Sequence, residues 1–184
     1  MNVWQRLFAA LGRRLVIEAG RDPVAEPTDA GHLQVQELVL RLGRAAGFQG
    51  IFELPSRPID PSRSTDVCLR GDAKRRLLLI ECWNTISDVG AAARSTSRKL
   101  VEAGDLAVAL GGDHPYAVSG CWVVRATARN RHLLRRYPEV FAARFPGSSE
   151  GWVRALTTGS AAPANPGLAW CAVDASRLFA WRRR

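Results

Sequence analysis

Two carboxylates stand where a pair of adjacent strands can bring them together. Asp66 opens the stretch "TDVCLRG", and Glu81 closes the apolar run "RRLLLIECW". A charge at the end of Leu77, Leu78, Leu79 and Ile80 costs desolvation unless something compensates it, and a divalent cation or a structural partner can do so. Residues two apart on a strand share a face, so Glu81 and Trp83 point the same way, with Leu77 and Leu79 behind them. If the two strands pair through the turn "RGDAK", Asp66 and Glu81 converge at one end of a sheet. Glu37, at the flank of a helical Leu38 and Val39 face, offers a third acid. Oxygen ligands of this kind suit Mg²⁺ or Mn²⁺ that keeps waters at its remaining positions. Such an ion lowers the pKa of a bound water and neutralises charge developing on a phosphate.

The elements that must position these residues are legible in outline. In "HLQVQELVLRLGRAAGF", Val35, Leu38, Val39, Leu42, Ala45 and Ala46 recur at helical spacing, with Gly47 as a stop. "GIFEL", "TDVCLRG" and "KRRLLLIECW" read as an antiparallel meander, the first two strands separated by the turn-rich loop "PSRPIDPSRS". "SDVGAAARSTSRKLVEAGDLAVALGG" reads as a helix capped by Ser87 or Asp88, with Val89, Ala92, Ala93, Thr96 and Leu100 on one stripe. "YAVSGCWVVRAT" is a further strand, and "ARNRHLLRRYPEVFAARF" a basic helix broken at Pro138. "SEGWVRALTTG" is a helix, and "LAWCAV" with "RLFAWRRR" forms short strands or a hairpin. At the start, a helix carrying Trp4, Leu7, Phe8 and Leu11 precedes an edge strand "RRLVIEA".

This order of elements, with "D66-V-C-L" followed by "L-L-I-E81-C-W83", resembles the PD-(D/E)XK superfamily of restriction-endonuclease-like nucleases. The stretch from about residue 30 to 127 is similar to the nuclease-like domain of some actinobacterial helix-turn-helix regulators. The resemblance implies an α/β fold with a central mixed sheet of four to five strands flanked by helices. It implies Asp66 and Glu81 as metal-binding and catalytic acids, with Glu37 as the helix acid. The lysine of the E-x-K element has no match, because Trp83 stands there. Lys99, on the following helix, borders the apolar stripe, and its long stem can carry an ammonium toward the acids. The activity implied is metal-dependent phosphodiester hydrolysis, with DNA the favoured substrate. The alternative is a catalytically silent domain of the same fold that binds DNA or a protein partner in transcriptional regulation. Whether a helix-turn-helix lies upstream or on a partner chain stays open, as does a homodimer.

Composition agrees with a polyanionic partner without requiring one. The 184 residues carry 26 Lys and Arg against 17 Asp and Glu, a formal charge of +9. Phosphates attract such a surface and release counterions on binding. The candidate contacts are Trp83, Asn84, Arg94 and Arg98 near the acids, and the basic run Arg129, Arg131, Arg135 and Arg136, extended by Arg182, Arg183 and Arg184. Each has a plainer reading: Trp83 as a core indole, Asn84 in a local turn bond, the arginines as a solvated helix face. Glu81 can likewise pair with Arg94 or Arg98, and Asp66 can cap a turn. His32, His114 and His132 have no Cys or His at ligand spacing and receive no role. No G-x-S-x-G elbow supports a serine hydrolase.

Cys68, Cys82, Cys121 and Cys171 sit in apolar strands without zinc-ligand spacing, which reads as reduced thiols and a cytoplasmic protein. No apolar run reaches the ~18 residues a bilayer span needs, so neither a membrane partner nor secretion is expected. With 47% hydrophobic residues, the chain is expected to form a single domain, elaborated at both ends of the nuclease-like core.

Overall fold

The computed structural model describes residues 29–57 and 60–182. The expected N-terminal helix and edge strand lie outside the described residues, as do Arg183 and Arg184. Helix α1 (Ala30–Ala45) leads into β1 (Gln49–Arg57), β2 (Asp60–Gly71) and β3 (Arg76–Trp83). Helix α2 (Val89–Gly111) crosses to β4 (Ala117–Arg125). Three shorter helices, α3 (Ala128–Arg136), α4 (Pro138–Arg144) and α5 (Ser149–Thr158), precede β5 (Gly167–Cys171) and β6 (Leu178–Ala180).

The strands form one mixed sheet in the order β1-β2-β3-β4-β5-β6. The first three make an antiparallel meander, β3, β4 and β5 run parallel, and β6 returns antiparallel. Six strands replace the four to five expected, because β4 recruits β5 as a parallel neighbour and β6 adds to its far edge. The class is α/β, as anticipated. Parallel neighbours need covered faces, which explains why Leu77 to Ile80 form a continuous apolar run rather than an alternating one.

Both faces are covered. On one, Val35, Leu38 and Val39 of α1 and Trp152, Ala155 and Leu156 of α5 pack on Val67, Leu69, Leu78, Ile80 and Val123. On the other, Ala103 and Ala107 of α2 pack on Cys68, Leu77 and Leu79. Beside them, Leu134, Phe141 and Phe145 cover Trp122, Val124, Leu168 and Trp170. Gly47, with φ of 89°, ends the chain reversal after α1 that a side chain would strain. Asp88 caps α2 by accepting from the Ala91 amide at 2.8 Å.

The stretch read as a loop between the first two strands is instead a long hairpin. Pro55 lies opposite Ser64, and a bulge falls between Pro55 and Arg57. Among the described residues, strand β1 is an edge, so Pro55 need not donate to a neighbour on the open side. The register of β2 with β3 ends at Val67 opposite Ile80, whereas β2 continues with β1 alone. The sheet therefore forks at Asp66.

Candidate functional site

One step past the last β2–β3 pair, Asp66 and Glu81 face the same end of the sheet, close enough for the charge of Asp66 to act on the Glu81 carboxyl. The backbone ladder gives way at this point. The Cys82 amide donates to Asp66 Oδ2 at 2.7 Å, so a carboxylate takes over the role of a main-chain acceptor. This holds Asp66 at the fork, with its side chain 20% exposed.

Glu81 is almost wholly buried, at 4% exposure. Lys99, from the third turn of α2, donates its Nζ to Glu81 Oε2 at 2.7 Å. Burial pushes the Glu81 carboxyl up to about 7, and the charge of Asp66 pushes the same way; Lys99 and His32 pull it down. Glu81 Oε1 is buried without any hydrogen-bond partner. An orphaned carboxylate oxygen in so apolar a setting marks a place where a further donor or cation fits.

His32, given no role from the sequence, faces this site from α1. Its Nε2 lies 3.6 Å from Asp66 Oδ1. The neighbouring Asp66 carboxylate raises the imidazole above its ordinary value against the opposing effect of burial, aided by the charges of Asp29 and Glu53. One turn along the same helix face, Gln36 is 1% exposed, and neither of its amide atoms has a partner. Glu37, the expected helix acid, is exposed. The signal for His32 lay in extending the stripe of Val35 and Val39 backward by one turn.

A further carboxylate lies across from Asp66 on the other side. Phe52 pairs with Val67 and Leu54 with Thr65, which leaves Glu53 between them in a left-handed conformation, φ 48°. It is exposed, and its charge reaches His32. Among the described residues, no three His, Cys, Asp or Glu side chains already converge as a metal cluster.

The remaining expected contacts divide by environment. Trp83 packs its ring 5.1 Å from that of Trp122, with its Nε1 buried and unpartnered. Asn84 accepts from Arg125 Nη1 at 3.2 Å, and its carbonyl accepts from Asn130 Nδ2 at 2.9 Å, which engages it in the loop after β3. Arg131 donates to the Ala126 carbonyl and lies over the rings of Trp170 and Phe179, so its charge is committed to the fold. Arg136 lies over Tyr137, while Arg135 rims a groove of about 740 Å³ floored by Trp170 and Phe179. Arg129 is exposed on α3. Arg94 and Arg98 stand on the outer face of α2, turned from Glu81, where Lys99 is the ion-pair partner.

No known family, curated protein or solved structure matches this chain. No helix among the described residues is long and apolar enough to cross a membrane.

Proposed function

We propose that this protein is a restriction-endonuclease-like domain that hydrolyses phosphodiester bonds of nucleic acid, DNA above all, with the help of a divalent metal. The order α1, β1-β2-β3 meander, α2, parallel β4 supports the fold assignment. The observation that carries the chemistry is Glu81: buried, bonded to Lys99 at 2.7 Å, and left with a free oxygen opposite Asp66 at the fork. Asp66 and Glu81 would hold Mg²⁺ or Mn²⁺, which supplies Lewis-acid activation of water and neutralises charge on phosphate. Two protein carboxylates are enough for Mg²⁺ when waters and substrate phosphates complete its shell, so the absence of a three-ligand cluster among the described residues does not weaken the fit.

The chain's own groups have distinct tasks. Lys99 brings from α2 the positive charge that β3 lacks at Trp83, and a fixed ammonium beside developing negative charge lowers the barrier. Glu81, its carboxyl pushed up to about 7 by burial, would give up its proton on taking the metal, which makes metal uptake depend on pH. His32 and the Cys82 amide hold Asp66 from two sides and fix its orientation. The four free, buried cysteines support a reducing, cytoplasmic setting.

A silent, DNA-binding regulator is the second reading, favoured by one observation: Lys99 already spends its charge on Glu81, and Trp83 fills the motif position with packing. Incubation of supercoiled DNA, linear DNA and RNA with Mg²⁺ or Mn²⁺ separates the two. Cleavage by the wild type that Glu81→Gln abolishes supports the enzyme. Intact substrates across all three, with binding retained, would leave only the regulator.

A further inference from the structure

We propose that the basin between α2 and α4 is a phosphate-binding subsite that grips the backbone of the nucleic acid. The proposal deepens the nucleic-acid reading and rests on it. The basin is shallow, about 340 Å³, and its walls are Ala93, Arg94, Ser97, Arg98 and Arg144, with no Asp or Glu among them. Asp88 lies beside Gly90 with Arg94, its Oδ1 accepting from the Ala91 amide, and Glu102 follows Arg98 by four residues on α2.

Like charges one helical turn apart, such as Arg94 and Arg98, repel and destabilise an isolated helix. A third guanidinium from another element adds to that cost. Arg144 is held in place all the same: its Nη2 donates to the Ala93 carbonyl and to Ser97 Oγ, each at 2.8 Å. Ser97 Oγ in turn donates to the same carbonyl at 3.0 Å. Arg144 Nε is buried with no acceptor in the protein. Three guanidinium groups around one basin, one of them fixed by its bonds to α2, form a site for an anion with several acceptor oxygens. A phosphodiester provides such oxygens, and Arg98 adjoins Lys99 in sequence, which ties the basin to the helix that reaches Glu81.

The test is fluorescence anisotropy of a short labelled DNA duplex in EDTA, over a salt series, with wild type, Arg94→Gln/Arg98→Gln and Arg144→Lys. Each lost phosphate contact lowers the salt slope by about 0.9, so the double variant's slope should fall by about 1.8. The wild type's advantage should then shrink about 12-fold between roughly 50 and 200 mM salt. Arg144→Lys keeps the charge but loses the fork, and should bind between the two. Both substitutions in α2 are exposed, and unchanged melting curves verify the fold. Wild-type binding with an unaltered slope in the double variant overturns the basin alone. Absence of wild-type binding overturns the nucleic-acid reading with it. Inorganic phosphate that binds the wild type while DNA does not would assign the basin to free anions and overturn the proposal. Because EDTA removes divalent metal, failure of cleavage leaves this result untouched.

Discussion

Replacing Glu81 by Gln should make the protein relatively more stable at high pH than at low. The carboxyl rises from 4.5 to about 7 on folding, chiefly because burial penalises its charge. For an acid raised in this way, the folded state holds its proton after the unfolded chain has released it. Stability is unaffected below the unfolded value, falls as pH climbs from there to about 7, and stays reduced above. At about 1.36 kcal/mol per pKa unit, the loss is about 3 kcal/mol. The carboxamide of the Glu81→Gln variant cannot ionise and escapes it. The constant effects of the substitution, such as the altered bond to Lys99, do not vary over this range. Urea denaturation of both proteins from about pH 4 to pH 8 therefore reads Glu81 through the change in their difference. That difference should shift by about 3 kcal/mol toward the variant, or roughly 6–12 °C in Tm for a chain of this size. His32 is present in both proteins, so only its coupling to Glu81 differs between them. A difference that stays flat with pH would mean Lys99 holds Glu81 ionised throughout, and the desolvation argument would be wrong.

Lys99→Met should lower cleavage by about 10²–10³-fold, the typical cost of removing a fixed charge or donor at a developing anion, and should move the pH-dependent loss of stability to higher pH. Rates and denaturation of the same variant check both. The His32 imidazole, followed by NMR, should titrate above its ordinary value in the wild type and fall back in Asp66→Asn, since burial then acts unopposed by its main partner. The stability His32 contributes is full at low pH and disappears as pH rises through its raised folded value. Gly147→Ala should cost about 1–3 kcal/mol in denaturant melts, because its Cβ would press on the backbone carbonyl of Asn165 and come within 2.8 Å of that of Pro166, neither of which can swing aside.

Local patterns carried most of the secondary structure. The stripe on α1, the Asp88 cap and the "RGDAK" turn each follow from rules that act within a few residues. The β1–β2 hairpin escaped because its prolines and serines have turn chemistry, and only its place at the sheet edge makes a strand tolerable. The parallel union of β4 with β5 spans three intervening helices, which no local signal announces. Within the site, two strand acids could be set side by side from an assumed register. The helix partner could not, since one position on a helix turns a side chain by about 100°. That single step separates exposed Glu37 from buried Gln36, and only the contact across α1 and β2 brings His32 to Asp66.

The central claim is that Asp66 and Glu81 together hold a cation, and calorimetric titration of Mn²⁺ tests it most directly. Wild type and an Asp66→Ala, Glu81→Ala double variant would be titrated near pH 7 in two buffers of different ionisation heat. The account predicts binding to the wild type alone, with about half a proton released per metal as Glu81 gives up its share. Equal heats in wild type and double variant, or no heat in either while wild-type DNA cleavage continues, would contradict it.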